Sequence, residues 1–410
     1  MKALTIQIGI FGRTNVGKSS LMNFITNQDA SIISEVAGTT TDVVHKQMEL
    51  NPLGPITLFD TAGIDDKSIL GNLRIEKTQK VFNSSDIIIL MCEAGNFGVY
   101  EENIIKEVYK RKTPFIIVVS KTDLKQPDKN FLDKLKKYTN YVFTFSIVNE
   151  NRDNFLNILK KVFLKILPDN YIENYLTFKD IVKKGDTVIL VIPIDFGAPR
   201  GKIIMPQIQT LRHILDLNAI SYIVQDTEYE IALQNLKIPP AIVITDSQVV
   251  KCIAAKTPEN VKLTTYSIIY AANKSDILEM AKGAATLNNL KNGDKILIAE
   301  ACTHHASIDD IGKIKLPKWI REYSKKNLEI KYVSGQDYPK DIANYKIIIH
   351  CGGCTLNRKG MLFRLNKAVE FKVPITNYGI AISVFRGVIE KVLEIFPEAL
   401  LTYKKNIKCR

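Results

Sequence analysis

The sequence predicts an α/β protein built on mostly parallel sheets, and three observations predict it. Short apolar runs alternate with helical stretches through residues 4–166 at the spacing of strand–helix units. The first apolar run leads straight into a Gly-rich turn and then a helical pattern, as the first strand of such a unit does. Two later apolar runs, Lys295–Ala299 and Tyr345–Ile349, each end in a segment bearing Cys and His. Polar chemistry placed directly after buried strands is the usual arrangement at the carboxyl edge of a parallel sheet.

In the first unit, strand-like runs fall at 4–11, 43–49, 56–60, 86–92, 114–119 and 141–145, with helical stretches near 73–83, 99–111, 128–138 and 151–166. Leu167-Pro168-Asp169-Asn170 breaks the last helix and marks a boundary at 168. A second unit, 175–266, opens near Gly185-Asp186 with the apolar strand Val188–Ile194 and the turn Gly197-Ala198-Pro199-Arg200-Gly201. Helical (207–217) and strand-like (220–225, 241–245) stretches follow. A small α/β unit of this size buries little surface alone and carries no chemical motif, so self-association is its expected role. The third unit, 267–410, contains the two Cys/His-bearing strand ends.

Composition narrows the function classes. With 46% hydrophobic and 24% charged residues the chain reads as an ordinary soluble globular protein. No apolar run reaches the roughly 18 residues of a membrane span. Met1–Ile10 runs directly into a motif that must follow a buried strand, so it is not read as a signal peptide, and a cytoplasmic location without membrane association is expected. The net charge of +13 comes mainly from lysines spread over helix faces, with no basic cluster interleaved with aromatics. A nucleic-acid partner is therefore not expected. Six cysteines in such a chain point away from disulfides. Cys92, Cys252 and Cys409 read as inert, whereas Cys302, Cys351 and Cys354 sit beside His304, His305 and His350.

Gly12-Arg13-Thr14-Asn15-Val16-Gly17-Lys18-Ser19 matches the phosphate-binding pattern G-x-x-x-x-G-K-[ST] in full, between a strand and a helix. The glycines let backbone N–H groups curl around phosphates at a helix N-terminus. Lys18 is expected to reach the β- and γ-phosphates, Ser19 to ligate magnesium, and Ser20 to line the same site. Gly38-Thr39-Thr40-Thr41-Asp42 supplies Thr40 as the hydroxyl for magnesium and γ-phosphate. Asp60-Thr61-Ala62-Gly63 places Asp60 behind the magnesium and the Gly63 N–H against the γ-phosphate. Lys18, Thr40 and Gly63 are thus the residues expected to carry hydrolysis.

Ser120-Lys121-Thr122-Asp123 ends another strand, and Asp123 can accept two hydrogen bonds from the guanine N1 and N2 edge, which adenine does not offer. Charge-assisted bonds of about 1.5–3 kcal/mol each make it the base selector. Ser120 stands where N-K-x-D has Asn, a change expected to cost roughly 1 kcal/mol of affinity. Ser146-Ile147 is read as the loop touching guanine O6. Asn273-Lys274-Ser275-Asp276 also fits N-K-x-D, but it falls too late in the chain to join this sheet and is read as coincidence. A P-loop GTPase domain binding GTP or GDP with magnesium follows.

Ile64 after Gly63 leaves no Gln to orient water. Gly12-Arg13-Thr14-Asn15 with Gly38-Thr39-Thr40 and that hydrophobic residue resembles the Era and MnmE-like GTPases. The resemblance implies Asn15 as a potassium ligand and slow, potassium-stimulated turnover.

Cys302-Thr303-His304 and His350-Cys351-Gly352-Gly353-Cys354 form the second constellation. If the strands leading to them are parallel neighbours, both emerge at one sheet edge, and Gly352-Gly353 lets two thiolates turn toward one centre. Three thiolates with imidazole suit zinc or an iron–sulfur cluster, and spacing does not choose between them. His304 and His350 are candidates for the fourth ligand or for supporting positions, with His305 weaker.

The GTPase elements, a short middle unit and C-x-H…H-C-x-x-C together resemble HydF, the FeFe-hydrogenase maturation GTPases, over the whole chain. Val191-Ile192-Pro193-Ile194-Asp195, Pro199-Arg200-Gly201 and Pro374-Ile375-Thr376-Asn377-Tyr378-Gly379 add to the likeness. The resemblance implies a small α/β dimerisation domain and a Rossmann-like domain holding a 4Fe-4S cluster on Cys302, Cys351 and Cys354, with its fourth iron site exchangeable. It implies a homodimeric scaffold that receives a diiron precursor from radical-SAM maturases and delivers it to apo FeFe-hydrogenase. The gap between the two Cys/His segments is shorter than the family's usual range, and Ser120 replaces the usual Asn. A second reading of the same residues is an Era/MnmE-like GTPase associated with RNA or the ribosome and carrying a structural zinc.

Overall fold

Strands composed almost wholly of Ile, Val, Leu and Met are stable only where both of their faces are covered, which is the environment of a parallel sheet. The computed structural model describes residues 5–27, 44–61, 78–167, 178–194, 203–301, 310–335, 338–339 and 341–408. It divides into two compact units, Lys2–Glu173 and Asn174–Arg410.

The first unit contains β1 (Ile6–Gly12), β2 (Val44–Glu49), β3 (Pro55–Asp60), β4 (Ile87–Glu93), β5 (Phe115–Ser120) and β6 (Val142–Thr144). They form one six-stranded sheet in the order β2-β3-β1-β4-β5-β6. Only the β2–β3 pair is antiparallel. Strand alternation divides the side chains between two cores. Ile8, Ile10, Ile89 and Val118 face the helices Lys18–Thr26 and Arg152–Ile166. Phe11, Ile88, Leu90 and Val119 face the helix Val99–Lys110. β1, β4 and β5 are therefore apolar on both sides, whereas the edge strand β2 is largely exposed.

The second unit carries two four-stranded sheets, both parallel throughout. One consists of β7 (Thr187–Val191), β8 (Ile220–Val224), β9 (Ile242–Thr245) and β10 (Lys262–Thr265), in the order β10-β9-β7-β8. The other consists of β11 (Lys295–Ala299), β12 (Glu329–Val333), β13 (Ile347–His350) and β14 (Ile375–Asn377), in the order β12-β11-β13-β14. A single core joins them, running from Ile189 and Leu263 through Met280 to Ile298 and Ile348. β7 is shorter than the expected Val188–Ile194 run: it ends at Val191, and Ile194 lies 71% exposed beyond it. Pro193, which has no N–H for a ladder, accounts for the early end.

The helix Tyr266–Lys274 is capped by the Thr265 hydroxyl, which accepts the Ile268 N–H at 3.2 Å. It leaves β10 and packs against the helices Arg358–Glu370 and Tyr378–Phe385 of the second sheet's layer. Among the described residues, no helix is long and apolar enough to cross a membrane.

Candidate nucleotide and metal-cluster sites

β1 delivers Gly12 to the carboxyl edge of the first sheet. A Cβ there would lie 2.7 Å from the Met91 carbonyl oxygen and 2.8 Å from Val16, so only glycine fits. The loop then takes left-handed conformations at Asn15 (φ 62°) and Gly17 (φ 96°) before the helix Lys18–Thr26 begins. Asn tolerates this region better than most residues, and Asn15 is exposed. The first helical turn holds no acidic side chain of its own, which leaves its amides and the positive end of the helix dipole suited to an anion. The buried Lys18 folds over the loop, its Nζ donating to the carbonyls of Gly12 (3.0 Å) and Arg13 (2.8 Å).

The loop is also held from the side, by groups the motif does not specify. Arg13 forks onto Glu101, with Nε to Oε1 at 2.7 Å and a second nitrogen to Oε2 at 3.0 Å. Glu101 is fully buried and its Oε2 accepts the Gly98 N–H at 2.9 Å, while the Tyr100 hydroxyl donates to the Gly12 carbonyl at 3.1 Å. Gly98-x-x-Glu101 is legible as a helix start. That Glu101 also meets Arg13 is decided by tertiary packing.

Ser19 Oγ donates to Asp60 Oδ2 at the end of β3. Burial pushes the Asp60 carboxyl up, opposed by the Ser19 hydrogen bond and the Lys18 charge. Among the described residues, Asp60 Oδ1 has no hydrogen-bond partner. A hydroxyl beside a carboxylate with an open oxygen suits a hydrated magnesium ion, which needs oxygen ligands and keeps its waters. Ser20 follows, exposed, on the same helix. Thr40 and Gly63 lie outside the described residues.

At the edge expected from the sequence to take the base, Ser146 Oγ donates to Asp123 Oδ1 at 2.8 Å, turning the carboxylate while leaving it exposed. Ile147 beside it is 54% exposed. The Ser120 hydroxyl donates to the Val16 carbonyl at 2.7 Å, tying the base loop to the phosphate loop. The hydrogen bond counted as lost with the missing Asn is thus partly supplied by serine. Lys121 Nζ pairs with Glu93 at 2.5 Å.

The second constellation lies in the other unit. β11 and β13 are parallel neighbours, with Ala299 opposite His350. Beyond them the Cys351 N–H donates to the Ala299 carbonyl at 2.9 Å. Cys351 Sγ accepts N–H groups from Ala301 at 3.1 Å and from Gly353 at 3.4 Å. The residue preceding Cys302 is thus hydrogen-bonded to the Cys351 sulfur. Cys302, His304 and His305 lie outside the described residues. Gly353 (φ 64°) makes the turn that carries Cys354, which is exposed.

Burial pushes the Cys351 thiol up to about 11, against the lowering effect of its two N–H donors. Cys92, by contrast, is a buried thiol in β4 pushed up to about 12 by burial, and Cys252 is exposed. Among the described residues, no three of His, Cys, Asp and Glu converge as metal ligands. Two cysteines on a tight turn, N–H groups on a sulfur and the approach of the segment leading to Cys302 nevertheless fit a thiolate-bound metal.

His350 is fully buried, and both its ring nitrogens are engaged. Nδ1 contacts the Cys351 carbonyl at 2.6 Å and Nε2 contacts Arg364 at 2.9 Å. A guanidinium only donates, so Nε2 accepts and Nδ1 carries the proton. Burial, then the Arg364 charge, pulls the imidazole down to about 3. As it stands, the ring presents no lone pair to a metal and braces the backbone of Cys351 instead.

Lys274, which the sequence reading set aside with Asn273-Lys274-Ser275-Asp276, lies beneath the cysteine turn. Its Nζ donates to the carbonyls of Gly353 (3.2 Å) and Leu356 (2.6 Å) and sits 4.3 Å from the Tyr270 ring centroid. Burial pulls it down to about 7, opposed by Cys354 and Cys351. Asp276 caps the helix Ile277–Ala284, so neither residue belongs to the first unit.

Comparison with known proteins agrees with this division. Residues 7–121 match the 50S ribosome-binding GTPase family, 177–275 the hydrogen maturase F dimerization domain and 278–395 the hydrogen maturase F tetramerization domain. The tRNA modification GTPase MnmE of Mycoplasma mycoides is 35% identical over 160 residues, 39% of this chain and 34% of that protein. MnmE of Lactobacillus helveticus is 35% identical over 159 residues, 38% and 33% of the two chains. The chain spans about a third of the length of these curated relatives. Among solved structures, Aquifex aeolicus Era bound to GDP.AlF4- is similar at a TM-score of 0.34 and 23% identity, covering 53% of this chain and 92% of that one. The G domain of the Thermotoga maritima iron transporter FeoB has a TM-score of 0.31 at 20% identity, covering 39% and 99%. The two hydrogen maturase F domains account for more than half of the chain and bring oligomerization with them. With a GTPase domain ahead of both, the chain belongs to the hydrogen maturase F (HydF) family, the GTPases of hydrogenase maturation.

Proposed function

We propose that the chain is a GTP-hydrolysing scaffold and carrier of FeFe-hydrogenase maturation. It holds a 4Fe-4S cluster on Cys302, Cys351 and Cys354, takes a diiron precursor from radical-SAM maturases and passes it to apo-hydrogenase in the cytoplasm. The hydrogen bond from Ala301 to Cys351 Sγ carries this reading, because it puts the backbone leading to Cys302 against the sulfur of the C-x-x-C turn. Such a cluster, ligated by only three cysteines, supplies an iron with an exchangeable position. His350 is assigned a bracing role rather than ligation, and His304 remains the histidine candidate for the open position.

Segments 1–168, 175–266 and 267–410 are assigned GTP hydrolysis, dimerisation and cluster binding. The edge strand β8 supports a homodimer: Ile220, Tyr222 and Ile223 are 53%, 40% and 47% exposed along a sheet edge that pairs with no further strand among the described residues. Exposed apolar edges of this kind are satisfied by pairing with another strand. In the GTPase segment, Gly12, Asn15, Val16, Gly17, Lys18, Ser19, Ser20, Asp60 and Gly63 take the phosphates and magnesium with Thr40. Ser120, Lys121, Asp123, Ser146 and Ile147 take guanine. Asn15 binds potassium, and turnover is slow without it.

Anaerobic purification followed by iron, sulfide and zinc analysis tests the reading. A brown protein with iron and sulfide in cluster ratio is expected. A colourless protein with stoichiometric zinc and bound RNA points instead to the Era/MnmE-like alternative.

A further inference from the structure

We propose that Lys274 is the positioning residue of the cysteine turn, clamping from below the segment that carries Cys354 and placing its ammonium beside the turn. This rests on the cluster reading of the same turn. Lys274 closes the helix Tyr266–Lys274, which begins at the end of β10 in the other sheet of its unit. The side chain is 8% exposed, and every contact of its ammonium favours the charged form: two carbonyl oxygens and an aromatic face.

The two carbonyls lie on either side of Cys354. Gly353 precedes it, and Leu356 leads into Asn357, whose side chain caps the helix Arg358–Glu370. One ammonium therefore clamps both ends of the segment that carries the second thiolate. Tyr270 lies one turn earlier on the same helix and runs under Gly352, where a Cβ would stand 4.0 Å from its ring. The clamp and its platform come from a helix rooted in the β7–β10 sheet. The turn is thereby fixed to the part of the chain that matches the dimerization domain. Outer groups that orient ligand loops typically change metal affinity about 10–100-fold when removed.

The test compares wild type with K274M, which keeps the length of the side chain and removes the charge, and with K274R, which keeps the charge. K274Q takes the place of K274M if circular dichroism shows that K274M does not fold. Each full-length chain is reconstituted anaerobically with iron and sulfide. Iron loss to a chelator, the midpoint potential and the EPR spectrum of the reduced cluster are then recorded. K274M is expected to release iron at least about tenfold faster and to show a more negative potential, with K274R returning the potential toward wild type. Wild-type release, potential and spectrum in folded K274M or K274Q overturn the proposal. Hydrogen exchange at 352–357 is measured in the metal-free chains, so the positioning role is decided separately. Faster exchange in K274M upholds it and unchanged exchange overturns it, even if the wild type takes up no iron, an outcome that overturns the cluster reading by itself.

Discussion

The backbone N–H of Ala301 donates to the sulfur of Cys351 across 3.1 Å, joining two cysteine segments that lie 50 residues apart in the chain. The bond exists because β11 and β13 are hydrogen-bonded neighbours running the same way, so their carboxyl ends finish side by side. An N–H aimed at sulfur stabilises the thiolate over the thiol, and the thiolate is the form that binds metal.

Replacing Cys302, Cys351 or Cys354 by Ser exchanges a soft thiolate for a hydroxyl that iron holds poorly. Each variant is expected to lose cluster iron and sulfide while hydrolysing GTP at the wild-type rate, because the nucleotide residues belong to the separate unit Lys2–Glu173. Parallel iron analysis and phosphate-release assays check this. Collapse of GTP hydrolysis in all three variants contradicts the two-site arrangement.

Ser120→Ala removes the donor that ties the base loop to the Val16 carbonyl. A net hydrogen bond of about 1 kcal/mol makes GTP binding about fivefold weaker, with discrimination against ATP unchanged. Asp123→Ala removes two charge-assisted bonds to guanine and is expected to weaken GTP binding at least about a hundredfold. Titration with a fluorescent guanine nucleotide, competed by GTP and ATP, separates the two effects.

Asn15 stands exposed at a left-handed corner of the phosphate loop, where its side-chain oxygen is available to a monovalent cation. Hydrolysis is expected to be faster in potassium than in sodium, and Asn15→Ala to remove the difference. Equal rates of the wild-type protein in both buffers rule out the potassium role.

Burial beside Phe178 pulls His213 in the second unit down to about 4, below its ordinary 6.5. An unfolded chain therefore binds a proton there between about pH 6.5 and 4 that the folded chain does not. Stability contributed by the neutral ring is complete above pH 6.5 and is lost as the pH falls toward 4. Thermal melts of the metal-free protein are expected to drop in temperature over that interval. His213→Asn, which has no proton to take up, is expected to flatten the slope by one proton. An unchanged slope contradicts the assignment.

Much of the GTPase unit was legible because its signals are local. β1 and β5 are unbroken apolar runs, and the turns that follow them carry motifs of short, fixed spacing. Glu101 was not legible as the partner of Arg13, nor Ser120 as a donor to Val16. Both depend on which strands lie side by side and on the packing of a helix 88 residues away in sequence from the loop it braces. Lys274 was the largest miss. In the sequence it stood inside a false N-K-x-D, and nothing in the order of residues connects it to Gly353 and Leu356.

The sequence by itself determined the α/β class, the phosphate-loop motif, the S-K-x-D motif that ends in Asp123, and the pairing of a GTPase with a cysteine–histidine segment. Each of these is written in residue type and short spacing. Tertiary structure alone decided that the two cysteine strands are parallel neighbours, that His350 is occupied by Arg364 and the Cys351 carbonyl, and that Lys274 underlies the cysteine turn. The physical reason is that strand order and helix packing are set by the burial of whole faces. Those faces are assembled from residues far apart in the chain, and their polar neighbours follow from that assembly.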